Sequence, residues 1–385
     1  MRIKFIDAMK KIRLLFLLLS LSVGSVVAQE LPSRDKILEV TKRVNEYLMT
    51  KKYPDPTAVM PYYSRNKVYE SNIWTRAVYY EGLMALYSIY PDNRYYDYAM
   101  RWAEFHKWGM RGDDTTTRNA DNYCCAQTYI DLYRLTPRPE MLTKTIALCD
   151  MLVNSPQIED WTWIDAIQMG MPVLVKLGTL KGDSRYYEKA YDMYMWSRNT
   201  HAGGLYNEAE GLWWRDKDFI PPYKEPNGED CYWSRGNGWV VAALVRVLDE
   251  LPQDAPHRNQ YIKDLRAMCK AAKACQREDG YWNVSLHDES NFGGKEVSGT
   301  SLFIYGMAWG INNGILDREE YLPVVAKAWN TMVKEAVHKN GFLGYVQGTG
   351  KEPKDGQPVT FKSKPDFEDY GVGCFLLAGS EIYKL

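Results

Sequence analysis

The stretch WIDAIQMGMPVLVKLGTLKGDSRYYEKAYDMYMWS, residues 163–197, decides how the chain folds. Its first half is small and apolar on most sides, so as a helix it has no face to offer water and must be buried. A break at Gly182 follows, and the pair Tyr186-Tyr187 then opens a second helix that is charged on one side. A hairpin of one buried and one half-buried helix cannot cover its own apolar surface. It needs copies of itself as neighbours.

The copies are present. IWTRAVYYEGLMALYSIYPDNRYYDYAMRWAEFH (73–106) and DNYCCAQTYIDLYRLTPRPEMLTKTIALCDMLV (121–153) precede it; units starting at Gly236 and Ser298 follow, and DYGVGCFLLAGSEIYKL (369–385) closes the chain. Leu86, Leu132 and Leu177 recur 46 and 45 residues apart, the period of a helical-hairpin array. Helices near Trp74, Asp121, Asp165, Trp239, Thr300 and Tyr370 read as buried. Those near Lys42, Tyr98, Leu142, Tyr191, Arg266 and Ala326 read as their covers. Six inner and six outer helices predict an all-α fold, an (α/α)6 barrel with inserted loops at 201–233, 279–297 and 340–364. An open solenoid would need polar terminal units, whereas the last helix is strongly apolar.

Composition narrows the function. Net charge is −1, so no overall field favours nucleic acid or an anionic membrane. Thirteen Trp and twenty-nine Tyr against ten Phe suit half-wet surfaces such as carbohydrate clefts, although helix packing uses many of them. From Met9, MKKIRLLFLLLSLSVGSVVAQE has the basic, apolar and small-residue order of a secretory leader. The reading is cleavage after Ala28, export to a periplasm, no membrane span in the mature chain, and one catalytic domain over 30–385. The seven cysteines show no C-x-x-C or metal spacing; they read as buried thiols, with room for one disulfide. No metal or organic cofactor is expected, and the oligomeric state stays open.

In such a barrel the inner helices are parallel and their N-termini meet at one end. Those ends read ESNIW, RNADNY, EDWTWIDA, YWSRGNGW, EVSGTS and DFEDYG. Helix capping explains Ser298 and Thr300. It explains Asp165 less well, since this residue is expected about one turn inside an apolar helix; for Asp121 it stays open, because Asn119 can be the cap. Arg235 opposes the preference of helix N-termini for anions. Set between Trp233 and Trp239, it reads as a clamp for a carboxylate beside flat faces for a sugar. Asp165, near Asp121 and among Trp161, Trp163 and Trp233, is the candidate general acid; a purely structural pair with Arg235 is the alternative. No nucleophile elbow, P-loop or dinucleotide fingerprint occurs.

These motifs, NADNY, WTWIDAIQMGMPVL, GLWWRD, WSRGNGW and the closing DYGVGCFLLAGSEIYKL, resemble the family 105 glycoside hydrolases, the unsaturated rhamnogalacturonyl hydrolases, and the related family 88 unsaturated glucuronyl hydrolases. The likeness spans nearly all of the mature chain. It implies an oligosaccharide substrate with a 4,5-unsaturated uronyl residue at its non-reducing end. It implies Asp165 as general acid and base, Asp121 as the second aspartate, and Trp233, Arg235, Trp239, Trp163, Met169 and Asn122 as substrate-binding residues. One departure stands out. The family's histidine in the loop before RGNGW has no counterpart at Asn207 or Glu208, and His201 comes too early.

Rival readings are an inverting glycosidase or polysaccharide lyase on the same barrel, a sugar epimerase, and a non-catalytic glycan-binding protein. None of the five histidines sits in a convincing lyase or epimerase motif. A binding protein would have no use for Asp165.

Overall fold

The computed structural model describes residues 30–62, 66–364 and 368–385; the expected leader lies outside them. The helices are, in order, α1 (Arg34–Tyr47), α2 (Trp74–Ile89), α3 (Asn93–Phe105), the two pieces α4 (Ala120–Tyr123) and α5 (Ala126–Leu135), α6 (Thr143–Asn154) and α7 (Asp165–Lys181). Then come α8 (Arg185–Asn199), α9 (Ser234–Glu250), α10 (Arg258–Ala274), α11 (Val297–Asn312), α12 (Arg318–Ala336) and α13 (Asp369–Lys384). The buried set α2, α4–α5, α7, α9, α11 and α13 packs each on the next, and α13 packs back on α2. That closed ring, covered by α1, α3, α6, α8, α10 and α12, is the (α/α)6 barrel. The burial follows the pattern: α11 is buried from Val297 to Ile311, whereas α10 buries one face through Tyr261, Leu265, Met268 and Ala272.

The first and last inner helices close the ring backbone to backbone. A Cβ on Gly82 would lie 2.4 Å from the Gly373 carbonyl oxygen, and one on Gly373 would lie 2.3 Å from that of Val78. Arg76 of α2 donates to Asp369 of α13 at 2.8 Å, both side chains fully buried. Removing either member strands a charge, which typically costs about 3–5 kcal/mol.

A polar layer crosses the middle of the barrel. Glu81 of α2 accepts from Gln168 of α7 at 2.8 Å and from the Cys124 thiol at 3.4 Å. Arg246 of α9 approaches it at 3.6 Å and donates to Gln127 at 2.7 Å. Burial raises the Glu81 pKa, and Arg246 pulls it back. Pro172 explains part of this layer. Lacking an N–H, it leaves the Gln168 carbonyl without its helical donor, and Gln127 Nε2 donates to that carbonyl at 2.9 Å.

Two short ribbons decorate the barrel. β1 (Met60–Tyr62) pairs with β2 (Lys67–Tyr69), Met60 opposite Tyr69; β3 (Tyr206–Asn207) pairs with β4 (Leu212–Trp213). All seven cysteines are free thiols, and all but Cys275 are buried. No helix among the described residues is long and apolar enough to cross a membrane.

Two local expectations change. Asp165 is the first residue of α7, not one turn inside it. The cap of α11 is Glu296, whose carboxylate accepts from the Ser298 and Gly299 amides. Ser298 donates its hydroxyl to Glu296, and Thr300 accepts from the Trp282 amide.

Candidate active site

At the end where the inner helices begin lies a cavity of about 280 Å³. Each helix start contributes through its own local chemistry. Asn119 accepts from the Asp121 amide at 3.0 Å. The capping role thus falls to Asn119, and the Asp121 side chain is left to line the cavity. Asp165, at the first position of α7, lines it too, with Trp163 before it and Met169 one turn later. Trp74 and Ile73 come from the start of α2, Tyr62 and Tyr69 from the β1–β2 ribbon, and Thr349 and Gly350 from the 340–364 loop.

Among the described residues, two guanidiniums line this space. Arg215 donates from Nε to Asp165 at 2.9 Å and from Nη1 to Asp216 at 2.7 Å. Its backbone is zipped to the start of α7: the Ile164 amide donates to the Arg215 carbonyl at 3.0 Å, and Trp163 bridges to Asp216. Arg111, in the turn Arg111–Asp113, stacks 4.6 Å from the Tyr69 ring centroid. Among the described residues Arg111 has no hydrogen-bonded carboxylate partner.

The electrostatics separate the two aspartates. Burial and the charge of Asp165 push the Asp121 carboxyl up to about 7, against the smaller pull of Arg215 and Arg111. Asp165 is the member that holds an ion pair. Two carboxyls thus line one cavity, one held up near neutrality by burial and the other on a guanidinium, an arrangement in which one can give a proton and the other receive one.

The other sequence candidates are placed elsewhere. Arg235 is buried, and its guanidinium donates to the carbonyls of Gln347 and Gly348 at 3.0 and 2.9 Å and to the Tyr370 hydroxyl at 2.8 Å. It also lies 4.4 Å from the Trp233 ring centroid. The expected clamp at the mouth is instead an anchor beneath the loop that carries Thr349. Trp233 is buried and donates to Gln347 at 3.1 Å. Trp239 is buried edge-on behind Trp74, 6.2 Å away. Asn122 lines a shallow groove next to the cavity with Arg111 and Tyr69, donating to Thr117 at 3.0 Å.

Sequence reasoning missed Arg111 and Arg215. Arg215 stood inside the quoted motif GLWWRD, in the loop where the family histidine was sought. Arg111 stood in the polar loop RGDDTTTRN, residues 111–119, from which the sequence reading took no candidate. Among the described residues no group of three or more His, Cys, Asp or Glu side chains is placed to hold a metal ion.

Comparison with known proteins agrees with the resemblance. The model of glycosyl hydrolase family 88 matches residues 40–385. An unsaturated 3S-rhamnoglycuronyl hydrolase from Formosa agariphila is 31% identical over 332 residues, covering 81% of this chain and 84% of that protein. The solved structure of a glycosyl hydrolase family 88 protein from Bacteroides vulgatus is 32% identical with a TM-score of 0.82, covering 91% of this chain and 99% of that one. A solved chain described as a polysaccharide lyase is also 32% identical, with a TM-score of 0.81 and coverage of 91% and 97%. The chain belongs to glycosyl hydrolase family 88 and is an enzyme of the glycoside hydrolase class.

Proposed function

We propose that this family 88 enzyme removes a 4,5-unsaturated uronic acid, rhamnose-linked in the manner its named relatives suggest, from the non-reducing end of oligosaccharides made by lyases. The observation that carries the reading is the Asp121–Asp165 pair in a cavity walled by Trp, Tyr and two arginines. The C4–C5 double bond next to the ring oxygen is a vinyl ether. Protonation at C4 leaves oxocarbenium character at C5 and the ring oxygen. Water loses a proton to the pair and adds at C5; the resulting hemiketal opens, and the glycosidic bond is lost as the ring rearranges.

The resemblance gives both proton steps to Asp165. The electrostatics favour dividing them: Asp121 carries the proton that goes to C4, and Asp165, paired with Arg215, receives the proton of water. Arg111 holds the uronyl carboxylate, since among the described residues it is the guanidinium lining the cavity with no carboxylate bonded to it. Export after cleavage at Ala28 belongs to the same proposal, and the N-terminal residue of the fractionated mature protein tests it.

The test is ultraviolet absorbance of the conjugated double bond on unsaturated uronyl disaccharides. The wild type is expected to remove it, and Asp121→Asn and Asp165→Asn are expected to lose that activity. A lyase would instead create absorbance from a saturated polymer, which would overturn the reading. For the carboxylate, Arg111→Met should raise KM about ten- to a hundredfold, as expected for one charge-assisted hydrogen-bonding group, with Tm unchanged. Arg235→Met should lower Tm. The same KM increase from Arg235→Met at unchanged Tm would return the carboxylate to Arg235.

A further inference from the structure

Both helices that carry an aspartate into the cavity are interrupted at the level of the polar layer. The Asp121 segment breaks at Cys124-Cys125 into α4 and α5, where the Gln127 and Thr128 amides donate to carbonyls only three residues back, each at 3.1 Å. In α7, Pro172 leaves the Gln168 carbonyl without a helical donor. A gap in the ladder is where a helix bends. The ladders alone therefore do not fix how far apart the two helix starts lie.

Side chains span both gaps, and they meet on Glu81 of α2, whose side chain is fully buried. Its Oε1 accepts from the Cys124 thiol at 3.4 Å, and its Oε2 accepts from Gln168 Nε2 at 2.8 Å. One carboxylate thus puts one oxygen on each segment, three residues beyond Asp121 and three beyond Asp165. Arg246, 3.6 Å from Glu81 Oε2, donates to Gln127, which in turn donates to the vacant Gln168 carbonyl. Gln168 Oε1 is buried with no hydrogen-bond partner among the described residues, so the amide forgoes one bond to keep the other.

Charge balance says why this residue is an acid. From Glu81 the side chains alternate in sign. Arg246 lies 4.0 Å from Asp131, Asp131 bonds Lys176, Lys176 lies 3.7 Å from Glu250, and Glu250 accepts from Arg134 at 2.7 Å, where the line reaches the surface. Three acids answer three bases only when Glu81 is ionised. An ionised carboxylate can only accept, so both segments must turn a donor toward it. Resting on the reaction proposed above, we propose that Glu81 is a positioning residue of that reaction: with one oxygen on each aspartate-bearing segment, it sets the separation of the Asp121 and Asp165 carboxyls.

The ties are cut from the donor side, because Glu81→Gln would strand Arg246 and threaten folding. Cys124→Ala and Gln168→Met should each lower kcat about ten- to a hundredfold, the effect of a displacement of about an ångström. KM should not change, since Arg111 belongs to neither segment. Besides burial, Asp165 is the largest influence holding the Asp121 carboxyl up, ahead of the opposing Arg215 and Arg111. A slack pair loses part of that influence, so the alkaline limb of the pH–rate profile should move to lower pH. Cys124→Ser, which keeps a donor, should restore both kcat and the limb. Leu265→Ala, a truncation of a buried side chain in the outer helix α10, should lower Tm and move neither. Unchanged kcat and limb in Cys124→Ala and Gln168→Met, or the same shifts in Leu265→Ala, would overturn the assignment. If the wild type turns over no unsaturated uronyl substrate, the reaction reading fails by itself. The brace is then judged by carbon NMR titration of the Asp121 carboxyl, identified by its loss in Asp121→Asn; equal midpoints in wild type and both variants would sink it.

Discussion

At the scale of single residues, Asp121 shows how position sets chemistry. Asn119 relieves it of capping, and burial beside Asp165 raises its carboxyl to about 7. An unfolded aspartate releases its proton near pH 4. Between about pH 4 and 7 the folded state therefore binds more protons than the unfolded one, and this residue's contribution to stability falls as pH rises through that window. Asp121→Asn removes the penalty. Its Tm relative to wild type should rise from pH 5 to pH 8, and a pH-independent difference would contradict the assignment. On the proposed mechanism, in which Asp121 gives its proton to C4, activity should fall as pH rises through about 7. Arg235 shows the converse. A guanidinium between two indoles reads as a ligand clamp until backbone carbonyls are found on it, and those belong to a loop more than a hundred residues away.

At the scale of elements, the inner helices are held by close approach rather than by large side chains. Gly82 and Gly373 let α2 and α13 touch backbone to backbone. Gly82→Ala gains about 1 kcal/mol of helix propensity, but its methyl meets a carbonyl that cannot turn aside. Overpacking of that kind costs about 1–3 kcal/mol, so the clash wins, and the denaturant midpoint of Gly82→Ala should fall. A rise would mean that the ring closes more loosely than described. The polar layer around Glu81 obeys similar logic. Gln168 is three residues beyond Asp165 and Cys124 three beyond Asp121, so one buried carboxylate ties together the two segments that carry the proposed catalytic pair.

At the scale of the whole molecule, the barrel is a frame and the loops make the site. The 201–233 loop brings Arg215 and the 340–364 loop brings Thr349 and Gly350, and Lys351 joins the two by its pair with Asp218 at 2.9 Å. Both partners are well exposed, and such pairs are worth about 0–1 kcal/mol. Lys351→Met should therefore leave Tm nearly unchanged while hydrogen exchange in residues 348–356 speeds up several-fold. A large fall in Tm would show that the pair supports the barrel and not the loop. The barrel was legible in the chain because burial is a local pattern. A helix apolar on most sides must be inside, and six such helices alternating with six half-charged ones can close only as a ring. The aspartates were legible from their place at helix starts and from the resemblance of their motifs. The arginines were not. Arg111, Arg215 and Arg235 carry the same group, and nothing in their own neighbourhoods says what each will meet. The path of distant loops decided that two face the cavity and one faces carbonyls, because a guanidinium's role is set by the partner that satisfies it, and partners come together only in the folded chain.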